Sequence, residues 1–159
     1  MKARLNYAKA APGVYDAMDA ADQYLATGSI DEYLLNLVRL RVSQINGCAY
    51  CIDMHFKDLR VLGEGEQRLY SLDAWRECPY YTERERAALA WAEAVTAITD
   101  GHAPERLFEE ARSHFSEQEL CDLTMAIATV NAWNRLSISA RLVPGGYQPA
   151  KRPEMVTQA

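Results

Sequence analysis

The chain has 159 residues, nearly half of them apolar, which is enough for one domain with a substantial buried core. Its net charge of −5 comes from interspersed acidic and basic residues, and this excludes the basic surface expected of a nucleic-acid-binding protein. No segment approaches about 18 uncharged apolar residues, and the N-terminal segment lacks the apolar run of a secretory signal, so neither a membrane span nor export is expected.

Helix signals begin at Ser29. Ser29 and Glu32 fit a capping box, in which the serine caps the helix and the glutamate reaches back from its third residue. The helix that follows, YLLNLVRLRVSQI, carries apolar residues around most of its surface, so we expect it to be largely buried. Asn46-Gly47 ends this helix, and a second one is predicted to begin at about Cys48.

The rest of the chain also indicates helices. Thr82–Glu85 and Ser116–Glu119 are two more capping boxes, and Pro104 suits the first position of a helix. No segment alternates with period two, so no sheet is predicted. We therefore predict an all-α, single-domain bundle of six or seven helices spanning residues 1–159, with a frayed tail at 147–159. The helices predicted after the first cover about residues 48–62, 66–76, 83–100, 104–115 and 117–142.

The segment NGCAYCIDMH, residues 46–55, contains a cysteine pair and a histidine. Cys48, Cys51 and His55 are spaced i, i+3 and i+7, so a helix places all three on one face. At the helix start the two cysteines can approach closely enough for a disulfide, and the helix dipole favours thiolate. His55, one turn further on, can accept or pass a proton. The pattern predicts a redox-active dithiol with an acid–base partner.

These cysteines have three alternative roles: haem attachment, zinc binding and core packing. Haem attachment requires a histidine directly after the second cysteine, where this chain has Ile52. A zinc site needs a further ligand, and His102 and His114 lie far along the chain without a paired cysteine. Two buried core cysteines are the simplest alternative, so metal binding and a purely structural role stay open. Cys78 and Cys121 have no motif around them and are expected to be packing residues.

With this motif, the chain resembles the AhpD-like alkylhydroperoxidase branch of the carboxymuconolactone decarboxylase-like superfamily. C-x-x-C-x-x-x-H after Asn-Gly is the core of the likeness. The segments EQRLYSLDAWRE, YTERERAALAWAEAVT and ATVNAWNRLSI resemble further helices of the small members, so the likeness covers roughly residues 30–142. The resemblance implies an all-α fold and no cofactor. It also implies a homo-oligomer, either a trimer or a hexamer. Four cysteines are too few for a disulfide scaffold, so the thiols are expected to be reduced, and together with the missing export signal this favours a cytosolic protein.

The resemblance also implies thiol peroxidase chemistry on hydroperoxides. By analogy, Cys51 is the peroxidatic thiol, Cys48 resolves its sulfenic acid as a disulfide, His55 relays a proton, and a separate thiol or dithiol reductant resets the pair. Family members carry a glutamate twelve residues before the first cysteine, where this chain has Asn36. An amide can orient His55 but cannot take up a proton. Glu32, one turn earlier, is a candidate substitute acid, although the expected capping box already explains it.

Three function hypotheses result from these residues. The leading one is an enzyme that reduces alkyl hydroperoxides through the dithiol, with Tyr50, Trp133 and Asn134 as candidate pocket residues; for Asn134, hydrogen bonding in the core is the alternative. The second is a thiol–disulfide exchange protein with weak peroxidase activity, because Asn36 replaces the relay acid. The third is a non-catalytic oligomeric helical protein with structural or metal-bound cysteines. A lactone decarboxylase ranks last, because that reaction needs no redox dithiol.

Overall fold

Residues 2–150 are described by a computed structural model. They form eight α-helices and one 3₁₀ helix and contain no strand, so the predicted all-α class is confirmed. The helices are α1 (Tyr7–Ala10), α2 (Pro12–Ala26), α3 (Glu32–Asn46), α4 (Ala49–Val61), α5 (Glu66–Ser71), the 3₁₀ helix (Leu72–Glu77), α6 (Glu83–Thr96), α7 (Glu105–His114) and α8 (Glu117–Ala140).

The N-terminal helices α1 and α2 are additions to the predicted set, which began at Ser29. The single helix expected over residues 66–76 is instead divided into α5 and the 3₁₀ helix, with a non-helical backbone at Ala74. Pro104 precedes α7 as its N-cap and is not its first helical residue. Residues 97–100 lie beyond the end of α6, which is shorter than predicted.

The start of α3 differs from the predicted capping box. The N-cap is Asp31, whose carboxylate accepts the N–H of Leu34 at 2.9 Å. Ser29 instead donates both its N–H and its hydroxyl to Asp122 of α8, at 2.9 and 2.7 Å. A hydrogen bond to a carboxylate is stronger than one between neutral groups, such as the N-cap bond it replaces, which explains why Ser29 faces α8. Glu32 is therefore the first residue of α3, not its third. The boxes at Thr82 and Ser116 form as expected.

Helix α3 lies at the centre of the bundle, packed against α4, α6 and α8. Leu37, Val38 and Leu40 are completely buried, as the all-round apolar pattern predicted. The helix ends at Gly47, which has a left-handed backbone (φ 68°), and the N–H of Cys48 returns to the carbonyl of Ser43 at 3.0 Å. This tight ending lets α4 begin two residues later and pack directly on α3.

Residues 141–150, which follow α8, return to α4 and are hydrogen-bonded to it; we call them the returning segment. Gly145 donates its N–H to Asp53 at 2.9 Å, and Lys57 donates to the carbonyl of Tyr147 at 3.1 Å. The hydroxyl of Tyr147 donates to Asp58 at 2.8 Å. The expected frayed tail therefore does not begin at residue 147; residues 151–159 lie outside the described range. Within residues 2–150, no helix combines the length and apolar character needed to cross a bilayer.

Candidate active site

Cys48 and Cys51 lie at the start of α4 and form a disulfide with a Cα separation of 5.4 Å. Cys48 is the N-cap of the helix, and its sulfur accepts the N–H of Cys51 at 3.4 Å. The left-handed turn at Gly47 places Cys48 in this position. Both cysteines are buried, with 1% and 2% of their surface exposed. When the pair is reduced, the free N–H groups and the dipole of the first turn favour thiolate.

His55 lies one turn below Cys51 and is buried among α3 and α4. Its Nδ1 is 3.2 Å from Oδ1 of Asn36. Because Asn36 donates its Nδ2–H to the carbonyl of Glu32 at 3.0 Å, its oxygen is the atom that faces His55. Nδ1 therefore carries the imidazole hydrogen, and Nε2 is the basic nitrogen. Burial, assisted by the charge of Arg39, lowers the pKa of His55 to about 3, so the ring is neutral near pH 7.

Asp58 is a further residue of the site that the motif did not indicate. It follows His55 by three residues, and its Oδ2 lies 3.9 Å from His55 Nδ1, too far for a hydrogen bond but within electrostatic range. Burial raises the pKa of this carboxyl, the charge of Glu32 raises it further, and the hydrogen bond from Tyr147 and the charge of Arg39 oppose the shift. The spacing alone could have indicated this residue, because position 58 lies on the same helix face as positions 48, 51 and 55.

A cavity of about 820 Å³ borders these groups. This volume suits a small organic ligand. Of the two cysteines, Cys51 is the one that lines it. Tyr50 and Trp133, two of the three candidate pocket residues, also line the cavity. The cavity also brings together His55, Asn36, Glu32, Asp58, Arg39 and Tyr147.

Asn134, the third candidate pocket residue, is a core residue instead. It is completely buried in α8, where its amide donates to the hydroxyl of Ser43 at 3.1 Å and accepts from Asn46 at 2.8 Å. Both partners belong to α3, so the amide joins the two helices. A buried amide needs such partners, and this requirement explains its polar character without a ligand.

Helix α2, absent from the predicted set, supplies one wall of the cavity. Its Asp22 accepts a hydrogen bond from Arg39 at 2.9 Å and another from the indole of Trp133 at 2.6 Å. This carboxylate therefore joins α2 to α3 and α8. Arg39 is the one cation among the described lining residues, and burial lowers the pKa of its guanidinium, with the charge of Asp22 opposing the shift.

The remaining cysteines lie away from the cavity. Cys78 is half-buried, as expected of a packing residue, whereas Cys121 is exposed on α8, so the packing prediction is wrong for Cys121. Both are free thiols. Among residues 2–150, no group of three or more histidines, cysteines and acidic residues is arranged to bind a metal ion.

Fold and site together define an all-α protein in which a cysteine pair at a helix start and a buried histidine meet at one cavity. The chain belongs to the carboxymuconolactone decarboxylase family, whose model matches residues 12–94, and to its AhpD-like branch. The matched segment begins at α2, upstream of the likeness recognised from the motifs.

Known relatives support this assignment. The uncharacterized protein YdfG of Bacillus subtilis (strain 168) is 42% identical over 139 residues, which are 87% of this chain and 95% of YdfG. A crystal structure from Agrobacterium tumefaciens is also 42% identical, with a TM-score of 0.88 over 92% of this chain and all of that one. That protein is described as of unknown function and as a candidate antioxidant defence protein AhpD.

More distant structures show that the same fold occurs in enzymes. The debrominase Bmp8 is 22% identical, with a TM-score of 0.73 over 85% of this chain and 73% of that one. At this identity the likeness concerns the fold alone.

Proposed function

We propose that this protein is a thiol-dependent peroxidase that reduces organic hydroperoxides through Cys48 and Cys51 and is reset by a separate thiol or dithiol reductant. One observation carries the proposal: Cys51, half of a disulfide-forming pair, lines a cavity that also contains a neutral imidazole. The description of the Agrobacterium relative as a candidate antioxidant defence protein is consistent with it. The resemblance further supports a homo-oligomer, a trimer or a hexamer, and light scattering on the purified protein tests the oligomeric state. The cysteine content favours a cytosolic location.

The first half of the reaction uses Cys51. Its thiol loses a proton to Nε2 of His55, and the thiolate attacks the terminal oxygen of the hydroperoxide, which carries the hydrogen. The S–O bond forms as the O–O bond breaks, and the alkoxide leaves with the proton as an alcohol. Cys51 is then a sulfenic acid. The order of the two cysteines follows the resemblance, and the position of Cys51 on the cavity wall favours it.

The second half closes the disulfide. Cys48 attacks the sulfenic sulfur, and hydroxide leaves and takes up the proton of the Cys48 thiol as water. Overall, two thiols and one hydroperoxide give one disulfide, one alcohol and one water. The reductant then restores both thiols by thiol–disulfide exchange.

The test treats fully reduced protein with one equivalent of cumene hydroperoxide. We expect the loss of two thiols and a Cys48–Cys51 disulfide by mass spectrometry, together with stoichiometric cumyl alcohol. Cys48→Ser should stop at the sulfenic acid, which a dimedone probe traps, and Cys51→Ser should not react. Thiols that stay free after minutes with excess hydroperoxide would reject the peroxidase assignment.

A second candidate function is thiol–disulfide exchange with weak peroxidase activity, which the amide at position 36 favours. General acid–base assistance is worth about 10² to 10⁴ in rate, so its loss slows peroxide reduction without preventing exchange. Oxidation of the reduced protein by glutathione disulfide and by cumene hydroperoxide is compared at equal concentrations. Faster oxidation by the disulfide supports exchange as the main activity.

A further inference from the structure

Position 36 lacks an acidic side chain that could stabilise a protonated His55. Asn36 faces His55 Nδ1 with a carbonyl oxygen, which can accept a hydrogen bond but cannot hold a proton. A buried imidazole that takes the thiol proton becomes a cation with no charged partner at that position. Proton removal from Cys51 therefore requires an anion elsewhere around the ring.

The charged and titratable groups around His55 and Asp58 come from four elements. Asp22 of α2 cannot serve, because both its oxygens are engaged, by Arg39 and by Trp133. Arg39 of α3 has the wrong sign. Asp58 is the carboxylate whose oxygen lies 3.9 Å from His55 Nδ1. The full set is Tyr50, His55 and Asp58 on α4, Glu32 and Arg39 on α3, Asp22 on α2, and Tyr147 of the returning segment.

We propose that Asp58 is the proton-holding carboxylate of this site, that it acts through His55 in place of the acid missing at position 36, and that Tyr147 holds it in position. This proposal rests on the proposed function only in taking Cys51 as the reacting thiol. The proton moves in two steps, from Cys51 sulfur to His55 Nε2 and from His55 Nδ1 to Asp58 Oδ2. No electrons move, and the products are a thiolate, a neutral imidazole and a carboxylic acid.

The geometry supports the second step of this path. Tyr147 donates to Oδ1 of Asp58 at 2.8 Å, and Oδ2 is the oxygen nearest to His55. Oδ2 needs to approach Nδ1 by about 1 Å to form a hydrogen bond, a small side-chain adjustment. The pKa order also fits: burial lowers that of His55 to about 3 and raises that of Asp58, so the carboxylate is the stronger base of the pair. Both pKa directions therefore favour transfer of a proton from the ring to Asp58.

Asp58 has two opposite effects on thiolate formation at Cys51, and the distances indicate which one is larger. Its charge disfavours a thiolate at Cys51 by repulsion, but the two residues are seven positions apart on α4, about 10 Å along the helix axis. The attraction to a charged His55 acts over 3.9 Å. Coulomb energy falls with distance, so the effect through His55 is the larger one.

The test measures thiolate at Cys51 without any peroxide. In a full-length chain with Cys48, Cys78 and Cys121 changed to serine, the alkylation rate of Cys51 by iodoacetamide is followed from pH 5 to 9. Asp58→Asn should lower that rate at pH 7 at least tenfold and raise the apparent pKa of the thiol by one unit or more.

The control is Asp53→Asn, which removes another carboxylate of α4 that binds the returning segment but does not line the cavity. It should stay within twofold of the parent. Adding Asn36→Glu to the Asp58→Asn chain should recover most of the lost rate, which a merely structural role of Asp58 would not allow. Equal losses in the Asp53 and Asp58 variants, or no loss in Asp58→Asn, would overturn the proposal.

Tyr147→Phe covers the case in which Asp58→Asn does not fold. It keeps the carboxylate and removes only the hydroxyl that holds it, and we expect a loss of roughly threefold; an unchanged alkylation profile would reject the positioning role of Tyr147. Failure of the proposed function is separately visible: wild-type thiols would then ignore hydroperoxide, while Asp58→Asn would still slow alkylation.

Discussion

Replacing Asn36 by glutamate should raise the rate at which the reduced protein consumes hydroperoxide by at least tenfold. The substitution places a carboxylate beside His55 Nδ1, which is now 3.2 Å from the amide oxygen. At about 3 Å and an effective dielectric constant of about 20, a charge pair is worth about 5 kcal/mol. This attraction favours the charged imidazole that forms when Cys51 loses its proton.

Two costs reduce that figure. Position 36 is only 5% exposed, and removing a carboxylate from water costs several kcal/mol. The negative charges of Glu32 and Asp58 act at the same cavity and oppose a third one. A tenfold gain needs only about 1.4 kcal/mol of the attraction to remain. Because Asp58 already supplies part of the effect, the gain should be larger in an Asp58→Asn background than in the wild type.

The assay is stopped-flow measurement of thiol oxidation at pH 7 with cumene hydroperoxide in excess. Asn36→Gln is the matched control, because it has the length of glutamate without the charge, and it should be no faster than the wild type. If the glutamate variant is folded and oxidises no faster than the glutamine variant, the claim that position 36 limits proton transfer is wrong.

Three further outcomes are expected. Between about pH 3 and 6.5, His55 is protonated in the unfolded chain but not in the folded one, so it makes the free energy of unfolding rise with pH by up to about 1.4 kcal/mol per pH unit. His55→Gln should reduce the slope of the unfolding free energy against pH by that amount over the same range, as measured by urea unfolding. Asn134→Ala should lower the free energy of unfolding by about 1–3 kcal/mol, since it leaves Ser43 and Asn46 short of a partner, and a loss below about 0.5 kcal/mol would contradict its role in joining α3 and α8. Cys121→Ser should leave hydroperoxide-driven disulfide formation unchanged in thiol titration, because Cys121 lies outside the cavity lining.

The parts of the site that the sequence predicted are local. Cys48, Cys51 and His55 lie within three turns of one helix, so their spacing determines which face they share. The same rule applied to Asp58, but an acidic residue on a helix is usually solvated, and nothing nearby in the sequence indicated otherwise. What distinguishes it is Tyr147, 89 residues away, which reaches it only after the whole bundle has formed.

Long-range contacts also explain the wrong capping box. Ser29 and Asp31 are both good N-cap residues, and local preference alone does not choose between them. Asp122, 93 residues away on α8, bonds the hydroxyl and N–H of Ser29 and leaves the cap to Asp31. This change affects the site, because Glu32 is then the first residue of α3 and lines the cavity. A capping box therefore does not explain the presence of a glutamate at position 32. The helix class, by contrast, follows from apolar periodicity that each segment carries by itself.

The capping contact of Cys48 ties the redox potential of the pair to the stability of a helix. The sulfur that accepts the N–H of Cys51 at 3.4 Å is a neutral disulfide sulfur here, and as a thiolate it would be a stronger acceptor. An N-cap is typically worth about 1 kcal/mol. For a two-electron couple, about 1.4 kcal/mol corresponds to about 30 mV. Each kcal/mol by which the first turn of α4 prefers the thiolate therefore makes the pair about 20 mV more oxidising.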